Sequence, residues 1–138
     1  METAAVPTAS ISKGARRTGI VLSALLVVFL VFDGVIKLIP LDIVVTTSQQ
    51  LGIPVQLART LGVLTLLCAI LYALPRTSVL GAILLTGYLG GAIYTHLRVG
   101  SPLLTHTLFG VYLALMAWGG LYLRDPRVRA LIPLATTE

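Results

Sequence analysis

Four apolar runs, at residues 18–39, 55–74, 77–97 and 102–123, constrain this chain more than any other feature of it. Each approaches the roughly 20 residues that a helix needs to cross a hydrocarbon core about 30 Å thick. Backbone polar groups in lipid must be satisfied internally, which leaves helices or closed barrels. No period-2 alternation runs through these segments, so the pattern predicts helices. Composition points the same way. The chain is 57% hydrophobic and 11% charged, whereas soluble domains are about a quarter charged. The expected fold class is all-α: a four-helix transmembrane bundle.

Local signals mark the ends of these helices. Pro75 follows the second run, Gly100 closes the third, Ser101-Pro102 opens the fourth and Pro126 follows it, each residue type suiting that place. Residues 1–17 read as a polar cytoplasmic tail, 18–126 as the membrane domain and 127–138 as a second cytoplasmic tail. The first run is followed by no small-x-small cleavage site, so it reads as a retained span rather than a signal peptide. Only the connection at 41–54 has any size. Asp42 as an N-cap, Gly52 and Pro54 as terminators, and Ile43, Val44, Thr47 and Leu51 at helical spacing predict a short interfacial helix, an ordered loop being the alternative.

The chain carries a net charge of +5, but its cations lie between apolar runs instead of forming a basic patch with stacking aromatics, which excludes nucleic acid as a partner. They act as a topology signal. Lys13, Arg16, Arg17, Arg76, Arg124, Arg127 and Arg129 fall on one side, and Lys37, Arg59 and Arg98 on the other. Seven against three places both termini in the cytoplasm.

Polar groups within the spans gather at one level. Counted from Thr18, Asp33 lies about 22 Å across the bilayer, in the outer half. Lys37 follows one turn later, in the favourable orientation for an ion pair. Arg59, His96, Arg98 and His106 belong to the same level. Intramembrane charges are costly and mark functional sites by default, while snorkelling to the headgroups is the structural alternative. Asp33, Lys37, Arg59, Arg98, His106 and Tyr94 are the candidate polar pocket. Helical spacing puts Gly87 and Gly91 on one face of the third span and Gly110 and Ala114 on one face of the fourth, both suited to close helix packing. At 100° per residue Arg98 falls on the glycine side and His96 about 200° away, so Arg98 and His106 are expected to face inward and His96 outward. Tyr72, Trp118 and Tyr122 are expected in the inner interfacial belt.

The same residues exclude several chemistries. Cys68 is the only cysteine, so thiol-pair electron transfer is ruled out and the side chain reads as a small core hydrophobe. Two histidines facing apart cannot hold one haem iron, three protein ligands for zinc are not gathered, and no metal site is expected. No complete catalytic constellation is present. A transporter is disfavoured because the polar groups make no continuous path and no inverted repeat is visible.

Several stretches, Phe32-Asp33-Gly34-Val35-Ile36-Lys37-Leu38, Ala58-Arg59-Thr60-Leu61-Gly62, Leu74-Pro75-Arg76-Thr77, Gly87-Tyr88-Leu89-Gly90-Gly91-Ala92, Thr95-His96-Leu97-Arg98-Val99-Gly100 and Leu121-Tyr122-Leu123-Arg124-Asp125-Pro126, together resemble the bacterial DoxX-like family. The resemblance implies a compact four-helix bundle in the bacterial inner membrane and association with membrane redox complexes, since the family takes its name from a membrane subunit of a thiosulfate:quinone oxidoreductase. Distant animal relatives look like receptor assembly factors. Two functions are therefore carried forward. One is a quinone-associated accessory subunit of a membrane redox complex, which as an enzyme would act within a quinone-linked oxidoreductase. The other is a non-enzymatic assembly or interaction protein, docking partner subunits or a second copy of itself.

Overall fold

The computed structural model describes residues 10–39 and 41–132. The described residues are mostly helical, with no strand among them. In order come α1 (Lys13–Leu38), α2 (Asp42–Gln50), α3 (Leu57–Ala73), α4 (Ser78–Arg98), a π-helical turn (Leu103–Thr107), α5 (Phe109–Arg124) and α6 (Pro126–Leu131). Three helical stretches are long and apolar enough to cross a membrane: Lys13–Leu38, Ser78–Arg98 and Leu103–Arg124. α3 is equally apolar but has only 17 residues, or about 25 Å at 1.5 Å per residue. It is shorter than the expected run because residues 55 and 56 stay in a turn after Pro54.

α1 lies against α3 and α5, and α4 packs on both of them. Leu26, Leu30, Ala69, Leu85, Ala117 and Leu121 fill the space between. The outer faces are apolar as well. Val28, Phe32, Ile70, Leu84 and Leu115 are all exposed, as expected of helices solvated by lipid rather than water.

Glycines set the closest approaches. A Cβ built on Gly19 would lie 2.7 Å from Gly120 O, and one on Gly62 would lie 2.8 Å from Gly34 O. The backbones of α1 and α5, and of α1 and α3, therefore meet with nothing between them. A Cβ on Gly110 would lie 2.9 Å from Ile93 Cγ1, where α5 meets α4, and Ala114 packs against the core nearby. Gly87 and Gly91 differ. Their Cβ positions have nothing within 4 Å, so among the described residues no helix closes on that pair.

The connections are built from hydroxyls and two left-handed glycines. Ser78 Oγ lies 2.8 Å from the carbonyls of both Tyr72 and Leu74 and shares its one proton between them, and Thr77 Oγ1 donates to Leu71 O at 2.7 Å. These bonds satisfy carbonyls left open at the end of α3 and permit an abrupt reversal into α4. Gly52 (φ 67°) and Gly100 (φ 69°) close α2 and α4. At each, the following amide bonds back to the last turn: Ile53 N to Ser48 O at 2.9 Å and Ser101 N to His96 O at 3.0 Å. The 41–54 connection is thus a helix and not a loop, with Asp42 in its first turn after Leu41 as the cap.

Helical structure extends past the apolar runs at both ends. Ser12 Oγ accepts from Ala15 N at 3.2 Å, and this cap starts α1 at Lys13, ahead of residue 18. Residues 1–9 and 133–138 lie outside the described residues. At the other end Asp125 caps α6. Its Oδ1 accepts from Arg127 N at 2.9 Å, its Oδ2 accepts from Arg127 Nη2 at 3.0 Å, and Val128 is buried beneath. The hydrogen-bonded Arg127 side chain holds the Asp125 carboxyl below its usual value of 3.8, against the opposing effect of burial. A carboxyl lowered on folding stabilises the fold above its unfolded pKa and loses that contribution as pH falls through the lower, folded value. Asp125→Ala is expected to cost about 1 kcal/mol, with Asp125→Asn retaining most of the cap. Amide exchange at 127–131 should be fast in the alanine variant at neutral pH, and fast in the wild type only below the ordinary carboxylate range.

Candidate functional site

The site begins with two residues of α1. Asp33 and Lys37 are one turn apart, and Lys37 Nζ donates to Asp33 Oδ2. Gly34, between them, brings α1 onto α3 at this level. The ammonium also reaches across to α4, 3.3 Å from Tyr88 Oη and 5.8 Å from the ring centroid. Each side chain of the pair is 25% exposed, enough to face a cavity while the stems are packed.

That cavity measures about 670 Å³ and lies between α1, α3 and α4, with α2 along its fourth side. Ile36, Val44, Leu51, Leu57 and Leu61 give it apolar walls, and Asp33, Lys37, Tyr88 and His96 give it one polar end. Its size is that of a small-molecule site, and a largely apolar pocket with a few convergent polar groups is the usual form of one. A second cavity of about 150 Å³ lies on the other side of the same four residues and adds His106. Among the described residues, no buried side-chain nitrogen or oxygen lacks a hydrogen-bond partner. At the polar end Lys37 joins Asp33 to Tyr88, and His96 is bonded separately to Ser101.

α2 is held over the large cavity by few contacts. Val44 and Ser48 are buried, and Arg98 Nη2 donates to Leu51 O at 2.8 Å, tying the end of α2 to the end of α4. His96 and His106 approach with ring centroids 5.9 Å apart. His96 Nδ1 is 3.0 Å from Ser101 Oγ, and His106 Nδ1 is 2.7 Å from Thr105 Oγ1. Among the described residues no group of three His, Cys, Asp or Glu side chains is placed to hold a metal.

The six expected pocket residues are only partly brought together. Asp33 and Lys37 line the large cavity, His106 the small one, and Arg59 a third cavity of about 380 Å³ beside Lys37. Tyr94 is 67% exposed and Arg98 is exposed, and neither lines these cavities. The rotation of α4 is the reason. Gly87, Tyr88, Gly91, Ala92, Thr95 and His96 line the cavity, so the glycine face does border it, while Arg98, one turn past this stripe, reaches the end of α2 instead. His96 therefore faces His106 and not outward, and with Tyr88 it is a site residue that the glycine-face argument missed. Tyr72 is also corrected. It is fully buried within the chain and not on its outer surface, with its Oη bonded to Ala117 O at 2.8 Å.

A family model described as the DoxX-like family matches residues 21–120, from the first half of α1 into α5, and covers the whole polar end. No curated protein and no solved structure matches the chain. With most of its length inside that match and three helices able to cross a bilayer, the chain is a membrane protein and belongs to the DoxX-like family.

Proposed function

We propose that the chain crosses the bacterial inner membrane four times, through α1, α3, α4 and α5 as a four-helix bundle, with both termini in the cytoplasm. The cation bias supports this orientation, and it puts the large cavity in the outer half. There the chain holds a lipophilic ring compound bearing carbonyl or hydroxyl groups, a quinone, as an accessory subunit of a membrane redox complex. The observation that carries this reading is the 670 Å³ apolar cavity closed at one end by Lys37, Asp33 and Tyr88. Because Asp33 already neutralises Lys37, the polar end suits a neutral acceptor such as a quinone carbonyl better than a free anion. The apolar walls suit its ring and tail.

Protein extracted with its surrounding lipid should retain quinone, and Tyr88→Phe should lower that retention about fivefold, the equivalent of one hydrogen bond of about 1 kcal/mol. Absence of quinone from the wild-type preparation would end the redox reading. An assembly or interaction role is the second reading. It is favoured by the open space at Gly90, which does not border the cavity as Gly87 and Gly91 do and where a helix of another subunit has room to approach. Cross-linking from Gly90→Cys that yields neither a partner nor a dimer would count against it.

A further inference from the structure

At the opposite end of the molecule from the cavity, a line of hydrogen bonds joins three helices. Arg124 Nε donates to Ser23 Oγ at 3.0 Å, Ser23 Oγ is 2.9 Å from Tyr72 Oη, and Tyr72 Oη donates to Ala117 O at 2.8 Å. The tyrosine proton is committed to the carbonyl, so Ser23 donates to Tyr72 and accepts from Arg124. The Arg124 guanidinium is also packed over the Tyr72 ring, 5.7 Å from its centroid. It is held through one nitrogen and one face, and no hydrogen bond from Nη1 or Nη2 to a described residue is formed. The neighbouring carboxylate, Asp125, is engaged by Arg127. A part-buried guanidinium is thus fixed in place by Ser23 and the Tyr72 ring, and among the described residues no carboxylate is hydrogen-bonded to it, although the charge of Asp125 lies near enough to feel it.

Its place gives the class of anion. Arg124 is the last residue of a span, and a cation at the end of a span is where headgroup phosphates are met. Gly19 of α1 abuts its backbone, a built Cβ lying 3.0 Å from Arg124 N. Arg16, exposed and three residues earlier on α1, lies about 4.5 Å nearer the helix end. A rigid guanidinium fork matches phosphate oxygens in a way that an ammonium does not. We propose that Arg124, with Arg16 beside it, forms a binding site at the α1–α5 seam for the phosphate of an anionic phospholipid in the leaflet bearing the chain termini. The site is independent of the cavity and of any quinone.

The test uses the full chain in nanodiscs of phosphatidylcholine with and without phosphatidylglycerol, read by native mass spectrometry of retained lipid and by the thermal midpoint. The wild type should retain phosphatidylglycerol preferentially and melt higher with it. Arg124→Gln should lower that preference about fivefold, the equivalent of one hydrogen bond to the phosphate worth about 1 kcal/mol. Arg17→Gln removes the same charge from a neighbouring position off the seam and should leave the preference unchanged. Ser23→Ala keeps the charge but releases its anchor and should lower the preference by a smaller factor, which keeps the proposal open to failure if Arg124→Gln does not fold. Equal losses in Arg17→Gln and Arg124→Gln, no loss in either Arg124→Gln or Ser23→Ala, or a rise in midpoint with inorganic phosphate equal to that with the lipid would each overturn it.

Discussion

Replacing Gly19 by leucine is expected to destabilise the protein by about 3 kcal/mol, at the upper end of what overpacking costs, read as a fall in the unfolding midpoint in mixed micelles. The cause is rigid. A Cβ at this position meets Gly120 O at 2.7 Å and Arg124 N at 3.0 Å, both backbone atoms of α5, and neither can swing aside as a side-chain end would. Gly19→Ala should also destabilise, although alanine is favoured over glycine within helices by about 1 kcal/mol. Gly90 provides the contrast, because nothing lies within 4 Å of its Cβ position. There alanine should be neutral or stabilising. Equal responses at the two positions would show that α1 and α5 do not meet where the fold places them.

The second large effect is expected at the ion pair. Lys37→Met leaves the Asp33 carboxylate without its cation at membrane depth and should cost about 2 kcal/mol, less than for a fully buried pair because the cavity leaves the group partly solvated. Asp33→Asn alone strands the ammonium, with Tyr88 Oη as its remaining partner, and should cost less. Together, Asp33→Asn and Lys37→Met remove both charges and should recover most of the loss, giving a coupling of about 1–2 kcal/mol in the double-mutant cycle. Simple additivity of the two substitutions would place the groups apart and dissolve the polar end of the cavity.

Much of this was legible in the chain. The four apolar runs, the i, i+4 pairing of Asp33 with Lys37 and the closure of the third run at Gly100 are all local patterns, and local patterns survive folding. What was not legible depended on two helices at once. Gly87 and Gly91 share a face of α4, yet the close approaches use Gly19 with Gly120 and Gly34 with Gly62, because contact needs a small residue on each partner at the same height, which spacing along one helix does not encode. The inward face of α4 carried a readable alternative. Tyr88, Ala92, Thr95 and His96 form a helical stripe of small and polar residues, and weighing Tyr88 over Arg98 would have found the cavity wall. Tyr72 was misplaced for a similar reason. Its position along α3 suits an interfacial aromatic, but its hydroxyl is bonded by Ser23 and Ala117 from two other helices.

The π-helical turn at Leu103–Thr107 carries a consequence for how this architecture can vary. Its bonds run from Thr107 N to Pro102 O and from Leu108 N to Leu103 O, one residue farther than in an α-helix. Such a turn holds one surplus residue, and the side chains before it are swung by about 100° relative to an uninterrupted helix. His106 sits inside that offset. Loss of any single residue between 103 and 107 would return the stretch to α geometry and aim a different side chain at His96, leaving the apolar length of the helix almost unchanged. In this fold the number of residues in one short segment works as an angular setting, so length variation there re-points chemistry rather than merely trimming a loop.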